Sequence, residues 1–284
     1  MAYFTHEQIS PRLVRIRDAS LTAVYLVLGD EKVALLDTGI GIGSLRGYIA
    51  SITPRPVDLV ILTHGHLDHA NGAAEFAGVP IYLNPLDRDL MRRHADPAQR
   101  LDYAASGWGP IGRQAPAFTE ADLVPPLDPA RTLPLADGQR FDLGGITVEA
   151  VHAPGHTQGM TMLLLPEERT ILFGDGCGVG VLLVEECCST VQAYRQSLAH
   201  VKAYEPRYDR ILRNHGTCES PKDLLDNVIA VCDDILAGTD DRIPAQAPIA
   251  CTAPVYQAKA TLPGTQTRVD GKEGNILYAA NKVF

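Results

Sequence analysis

Residues 63–69, THGHLDH, place four metal-binding side chains in the spacing H-x-H-x-D-H. In an extended segment, residues two apart point to the same side, so His64 and His66 are expected to reach one metal ion. Asp68 and His69 lie where the chain turns into the next predicted helix, and they are expected to reach a second ion. The segment therefore predicts a site for two metal ions.

Three further side chains that bind metals follow short apolar runs later in the chain. They are His156, Asp175 and His215, and Asp175 is flanked by glycines that leave room for an ion. A metal that activates water needs ligands from separate stretches and keeps one position open. Each residue alone is also explained by capping of a turn, but their order and their common place after a strand favour one shared site.

The elements that must position the motif are predicted from periodicity. Two β-type runs joined by Gly29-Asp30-Glu31 predict a hairpin, and apolar residues at three- and four-residue intervals predict a helix that Pro54 ends. A continuous apolar run before Thr63 is typical of a buried parallel strand. The predicted elements of the first half are strands at 23–28, 33–39, 58–62 and 81–83 and helices at 42–52 and 70–76.

The second half repeats this order of elements: predicted strands at 146–151, 160–165, 170–173, 210–213 and 276–278, and helices at 190–204 and 222–236. Two strand-rich halves flanked by helices favour an α/β fold with four layers, an αββα sandwich, as a single domain over residues 1–284. A strand-free helical insertion at about 86–129 separates the halves, and its length is typical of a lid. A C-terminal extension covers about 238–284.

Composition limits the function. A net charge of −9 and no basic strip argue against nucleic acid as a partner, and no apolar run approaches the ~18 residues of a membrane span. The N-terminal residues lack the pattern of a secretory signal, and six cysteines without a C-x-x-C pair favour buried thiols in a reducing compartment. We therefore expect a cytoplasmic protein with a small-molecule substrate, no nucleic-acid partner and no membrane partner; a homodimer is left open.

The order H-x-H-x-D-H, then histidine, then Gly-Asp, then His-Gly resembles the metallo-β-lactamase superfamily of dinuclear metallohydrolases, over residues 37–216. Its ligand set is similar to that of the glyoxalase-II type. The resemblance implies that Asp37 supports the site without binding metal. It also implies a first ion on His64, His66 and His156, a second on Asp68, His69 and His215, and Asp175 bridging both.

The implied cofactors are two zinc ions, with iron or manganese as alternatives for these imidazole and carboxylate ligands. Two divalent ions carry +4, and Asp68, Asp175 and a bridging hydroxide carry −3, which leaves about one positive charge to stabilise an oxyanion. Asp68 is the predicted catalytic residue because it would orient the hydroxide. Tyr103, Trp108 and Cys177 are candidate substrate-pocket residues, and burial in the core is the alternative for Cys177.

The implied activity is hydrolysis of a small-molecule thioester, ester or lactone by the metal-bound hydroxide. An aspartate at position 175 resembles the thioesterase, lactonase and phosphodiesterase branches rather than the β-lactamases. Gly178 stands where quorum-sensing lactonases carry a tyrosine, which weakens that one substrate class. The alternatives are an iron-dependent oxidoreductase similar to persulfide dioxygenases, and a phosphodiesterase of the same fold.

Overall fold

The computed structural model describes residues 3–108, 112–246 and 251–284. The chain divides into two compact units, Met1–Val148 with Asn214–Gly216, and Glu149–Arg213 with Thr217–Phe284. Parts of the predicted domain, insertion and extension, namely positions 1–2, 109–111 and 247–250, lie outside the described residues. The single-domain organisation stays a prediction.

The first unit is built on a sheet in which strands follow the order β1-β2-β3-β4-β5-β6-β7. Neighbours from β1 to β4 are antiparallel and those from β4 to β7 are parallel. The strands of this sheet are β1 (Thr5–Ser10), β2 (Leu13–Arg17), β3 (Ala23–Leu28), β4 (Val33–Leu36), β5 (Leu59–Ile61), β6 (Ile81–Leu83) and β7 (Leu133–Pro134). The first unit also contains β8 (Arg140–Asp142), which is not part of this sheet. Its helices are α1 (Leu45–Ile52), α2 (Leu67–Ala70), α3 (Arg88–Arg93) and α4 (Pro97–Ser106).

The pairing of β4 with β5 brings the first functional side chains together. These strands are parallel and fully buried, with Leu36 opposite Ile61, as the continuous apolar runs predict. Their carboxyl ends therefore lie at the same edge of the sheet. Asp37 follows β4 and the 63–69 segment follows β5, so the register places them side by side.

Two local predictions differ from the structure. The strands β1 and β2 precede the predicted hairpin; β1 is largely exposed and polar, so it lacks the alternation that identifies a strand. The helix predicted at 70–76 is instead the short α2 and a separate 3-10 turn at Ala73–Phe76. Gly72 lies between them: its N–H donates to the Gly39 carbonyl oxygen at 3.3 Å, and a Cβ there would lie 2.2 Å from the carbonyl oxygen of Thr38.

The second unit contains two sheets, and the boundary between the units falls within β9. One sheet includes the order β14-β13-β11-β10-β9, and the other has the order β12-β17-β16-β15, so the C-terminal extension contributes three strands. Its strands are β9 (Thr147–His152), β10 (Thr161–Leu165), β11 (Thr170–Leu172), β12 (Val181–Leu183), β13 (Arg210–Leu212), β14 (Glu219–Ser220), β15 (Ile243–Ala245), β16 (Val255–Gln257) and β17 (Ile276–Ala279). Its helices are α5 (Val191–Lys202) and α6 (Leu224–Ala237), close to their predicted bounds.

The insertion is anchored in the first unit through α4. Asp96 caps the helix by accepting a hydrogen bond from the Gln99 N–H, and Pro97 occupies the first turn. One turn later, the buried guanidinium of Arg100 donates hydrogen bonds of 2.8–3.1 Å to the carbonyl oxygens of Ile40, Gly41 and Val124. Burial lowers the pKa of Arg100 to about 10, so the side chain stays charged at neutral pH.

Within the described part of the chain, each helix is either too short or too polar to cross a bilayer.

We predict that Arg100→Met lowers the free energy of unfolding by about 3 kcal/mol, because two buried carbonyl groups and the half-buried carbonyl group of Val124 lose their donor. Urea denaturation measures the change. Arg92→Met is the matched control: Arg92 is exposed and pairs with the exposed Asp89, so its loss should cost no more than about 0.5 kcal/mol. Equal midpoints for the two variants would contradict the anchoring role of Arg100.

Candidate metal centre

The 63–69 segment leaves β5 as an extended turn and then enters α2. His66 is the residue before the helix, with extended backbone, and Asp68 and His69 lie in its single turn. Gly65 is required between the histidines because a Cβ there would lie 2.6 Å from the carbonyl oxygen of Asp87. The Gly65 N–H also donates to the buried Asp87 carboxylate at 3.0 Å. This turn therefore presents the motif from buried, hydrogen-bonded backbone.

Asp37 is fully buried and holds the surrounding segments together. Its φ of +62° lies in the left-handed region, which aspartate tolerates better than most residues. Oδ1 accepts a hydrogen bond from the Thr63 N–H at 2.7 Å, and Oδ2 accepts from Thr63 Oγ1 at 2.9 Å and Asn214 Nδ2 at 3.0 Å. His69 Nδ1 lies 2.9 Å from the same Oδ2. Asp37 thus contacts the 63–69 segment, which carries four predicted ligands, and Asn214, which precedes the predicted ligand His215.

These hydrogen bonds determine which nitrogen of two histidines would bind a metal ion. A carboxylate only accepts hydrogen bonds, so the proton of His69 lies on Nδ1 and leaves Nε2 as the ligand atom. Thr63 Oγ1 donates its only proton to Asp37 and therefore accepts from His64 Nδ1, 3.0 Å away. His64 is left with Nε2 as its ligand atom. Asp37 orients His69 directly and His64 through Thr63.

Three of the predicted ligands form a close cluster in the first unit. Asp68, His69 and His215 each offer a ligand atom within 4.8 Å of the other two. Asp68 Oδ2 lies 3.3 Å from His215 Nε2 and 3.6 Å from His69 Nε2. His215 reaches this unit because the chain returns to it at residues 214–216, where Asn214 also donates to the Ala23 carbonyl oxygen.

His64 and His66 form a close pair in the same unit. His64 Nε2 and His66 Nδ1 are 3.0 Å apart, close to the separation of about 3.3 Å expected for two nitrogens on one tetrahedral zinc. Sequence reasoning missed His94, whose ring stacks on that of His66 with centroids 5.0 Å apart. No spacing rule links position 94 to the motif, so only the structure reveals this contact.

The structure also surrounds Asp68 with residues that sequence reasoning missed or assigned differently. Tyr103, predicted as a pocket wall, donates its hydroxyl proton to Asp68 Oδ2 at 2.7 Å, and Thr22 Oγ1 donates to the same oxygen at 3.0 Å. Trp108, the other aromatic pocket candidate, is half-buried and donates its indole N–H to the Ala19 carbonyl oxygen at 3.0 Å. Asp68 is thus hydrogen-bonded to both the insertion and the turn before β3.

The second unit contains the remaining predicted ligands, His156 and Asp175. His156 is buried, its Nδ1 lies 3.1 Å from the Leu182 carbonyl oxygen, and its Nε2 lies 3.8 Å from Asp175 Oδ2. A carbonyl only accepts hydrogen bonds, so Nε2 is again the candidate ligand atom. The Cys188 thiol donates to the His156 carbonyl oxygen at 3.0 Å.

Cys177, the third pocket candidate, is fully buried in the hydrophobic core of the second unit. Burial raises the pKa of its thiol far above the ordinary value, so the side chain is neutral and behaves as a small apolar group. Its role as a pocket residue stays a prediction.

The donor set of the first unit suits divalent ions. It consists of neutral imidazole nitrogens and a carboxylate, with ligand-atom separations of 3.0–3.6 Å, and such donors favour zinc, iron or manganese. The buried Asp37 behind these ligands supplies the hydrogen-bonded support that metal-binding histidines require. These residues therefore fit the metal that the sequence predicts, without identifying which one.

Comparison with known proteins gives the family. The profile of the metallo-beta-lactamase superfamily matches residues 17–208. The Pontibacter korlensis metallo-beta-lactamase structure covers 81% of this chain and 99% of its own, with 17% identity and a TM-score of 0.56. A metallo-beta-lactamase from Erythrobacter litoralis covers 82% and 98%, with 14% identity and the same TM-score. At such low identity these structures show the fold alone, and they confirm the predicted α/β class and metallo-β-lactamase fold.

Curated relatives are more similar in sequence. An atrochrysone carboxyl ACP thioesterase of Cryptosporiopsis sp. is 30% identical over 205 residues, covering 68% of this chain and 52% of the relative. One from Aspergillus novofumigatus is 29% identical with the same coverage. An uncharacterized protein of Mycobacterium tuberculosis is 36% identical over 132 residues, 44% of this chain and 51% of that protein. The chain spans about half the length of the curated relatives it matches.

We predict that Asp37→Asn lowers the free energy of unfolding of the metal-free protein by about 3 kcal/mol. Asparagine tolerates the left-handed backbone, but its amide NH₂ cannot accept the hydrogen bonds that one carboxylate oxygen now receives. Urea denaturation measures the loss, with Asp30→Asn as the control because Asp30 is exposed beside Arg12. The same unfolding midpoint in both variants would show that Asp37 does not hold these segments together.

Proposed function

The chain belongs to the metallo-β-lactamase superfamily, and from this premise we propose that it is a metal-dependent hydrolase that cleaves a thioester of a small carboxylic acid. Esters and lactones are the related substrates that we include in the proposal. The observation that carries it is the cluster of Asp68, His69 and His215, whose ligand atoms lie within 4.8 Å of one another in the first unit. Such a cluster suits a divalent ion that acts as a Lewis acid.

The choice of a thioester is supported by the relatives. Those with 29–30% identity are named thioesterases, of an acyl chain attached to a carrier protein. Asp175 supports the same choice, since an aspartate at this position resembles thioesterases and lactonases rather than β-lactamases. The acyl group and its carrier are open, because this chain matches only about half of each such relative.

We propose that the chain binds a pair of zinc ions. The family match over residues 17–208 supports this, because it includes the 63–69 motif, His156 and Asp175. Position 215 lies beyond that match, and its assignment is supported by the contact of His215 with Asp68. The proposed ligands are His64, His66 and His156 for one ion, Asp68, His69 and His215 for the other, and Asp175 for both.

When bound, the ions would supply Lewis-acid activation of water and of the substrate carbonyl group. The chain's own residues prepare the site for that chemistry. His64 and His69 carry their protons on Nδ1, and each Nδ1–H donates a hydrogen bond, to Thr63 and Asp37 respectively. Both histidines therefore present Nε2 to the ions. Asp68 stays oriented through Tyr103 and Thr22 and is the proposed catalytic carboxylate.

We also propose where the protein is located and which class of substrate it binds. A cytoplasmic location is also part of the proposal; it is supported by six cysteines that form no disulfide within the described residues. The net charge of −9 favours a small-molecule substrate over nucleic acid.

We predict that Asp68→Ala and Asp175→Ala abolish thioester hydrolysis while the fold is retained, because each removes a proposed ligand. Release of free thiol measures activity on acyl-CoA and on acylated acyl carrier protein. Product release measures it on ester, lactone and phosphodiester substrates, and circular dichroism measures the fold. Asp89→Ala is the control, since Asp89 is exposed and pairs with Arg92. Full turnover by Asp68→Ala would exclude the proposed site, and cleavage of phosphodiesters alone would exclude the thioester.

We predict two zinc ions per chain by elemental analysis of the purified protein. Removal of metal with a chelator should abolish hydrolysis, and added zinc should restore it. Bound iron together with oxygen uptake during turnover would instead support the oxidoreductase alternative.

A further inference from the structure

Asp68 receives hydrogen bonds from two hydroxyl groups that belong to different parts of the first unit. Tyr103 lies in α4 of the insertion and Thr22 lies in the turn before β3, yet both hydroxyls donate to Oδ2, at 2.7 Å and 3.0 Å. The Asp68 side chain is nearly fully buried. Two donors that converge on one buried carboxylate oxygen fix both its position and the rotation of its plane.

Thr22 is held by a buried aspartate. Asp18 Oδ1 accepts hydrogen bonds from the N–H groups of Ser20 and Thr22, at 2.9 Å and 3.2 Å, and Oδ2 accepts from the Ile40 N–H at 2.7 Å. Ser20 Oγ lies 2.7 Å from Asp18 Oδ1 and 2.9 Å from Thr22 Oγ1. The turn that presents the Thr22 hydroxyl is therefore tied to the backbone after β4.

Tyr103 is held to that same backbone. Arg100, three residues earlier and on the same face of α4, donates two hydrogen bonds to the Ile40 carbonyl oxygen. The backbone N–H of Ile40 thus donates to Asp18, and its carbonyl oxygen accepts from Arg100 in the helix that carries Tyr103. The two hydroxyl donors share one buried anchor, which keeps their relative position constant.

We propose that Tyr103 and Thr22 are positioning residues for the metal ion that Asp68 shares with His69 and His215. This inference rests on the proposed function, because it requires that ion. A carboxylate has about two lone-pair sites on each oxygen, so the two hydroxyls occupy those of Oδ2 and leave those of Oδ1 for the ion. The insertion then acts on the metal centre through Tyr103 rather than as a pocket wall alone.

The test is the zinc affinity of each site. Metal-free wild type, Tyr103→Phe and Thr22→Val are titrated with zinc chloride against a chelator of known affinity, and bound zinc is counted by elemental analysis. Losing a partner of a metal ligand typically weakens binding about ten- to hundredfold. We expect that loss for one of the two zinc ions in both variants, with the other ion unaffected, and recovery in Thr22→Ser, which keeps the hydroxyl.

The matched control is Tyr3→Phe. Tyr3 also donates its hydroxyl to a carboxylate at 2.7 Å, that of Asp122, but Asp122 is no proposed ligand. Its zinc affinities should equal those of the wild type, and thermal unfolding of each metal-free variant shows whether stability alone has changed.

Three results would overturn the inference. Affinities in Tyr103→Phe and Thr22→Val equal to those of Tyr3→Phe would reject it while the proposed function stands. A raised KM in Tyr103→Phe with unchanged zinc affinity would return Tyr103 to the role of a pocket wall. A wild-type chain that binds no zinc, iron or manganese would overturn both the inference and the proposed function.

Discussion

The candidate metal centre of the first unit depends on one buried carboxylate, that of Asp37. A carboxylate removed from water is costly unless hydrogen bonds replace its hydration, and here donors come from Thr63, His69 and Asn214. Because these donors belong to the 63–69 segment and to the stretch at 214–216, the carboxylate can be accommodated only when both meet the end of β4. The same hydrogen bonds therefore stabilise the buried carboxylate of Asp37 and orient the predicted metal ligands.

Sequence reasoning identified the side chains whose position follows from local geometry. The H-x-H-x-D-H motif follows a strand that is predictable from its apolar run, and the parallel pairing of β4 with β5 places Asp37 beside it. It could not identify the contacts of Thr22, Tyr103 and His94. Tyr103 lies 35 residues from Asp68 in the insertion, and Thr22 lies 46 residues from it in a turn. No periodicity in the sequence specifies the path of either stretch.

The same distinction holds for the fold. The strands β3 to β6 and the helices α5 and α6 lie close to their predicted positions. Apolar runs indicate the strands, and apolar periodicity indicates the helices. The polar strand β1 was missed because its stability comes from pairing with β2 rather than from burial. Between α2 and the 3-10 turn, Gly72 approaches Thr38 and donates its N–H to Gly39, and sequence patterns do not contain such contacts between segments.

The contacts of α4 also bear on how the insertion can move. A lid that opened by carrying α4 away would remove the Arg100 charge from its buried carbonyl partners and break the bond between Tyr103 and Asp68. Each buried group left without its partner costs about 1–3 kcal/mol, and more when the group is charged, so such an opening would consume much of the stability of a typical domain. Any gating by the insertion is therefore expected outside α4, which serves as a fixed support for the carboxylate of Asp68.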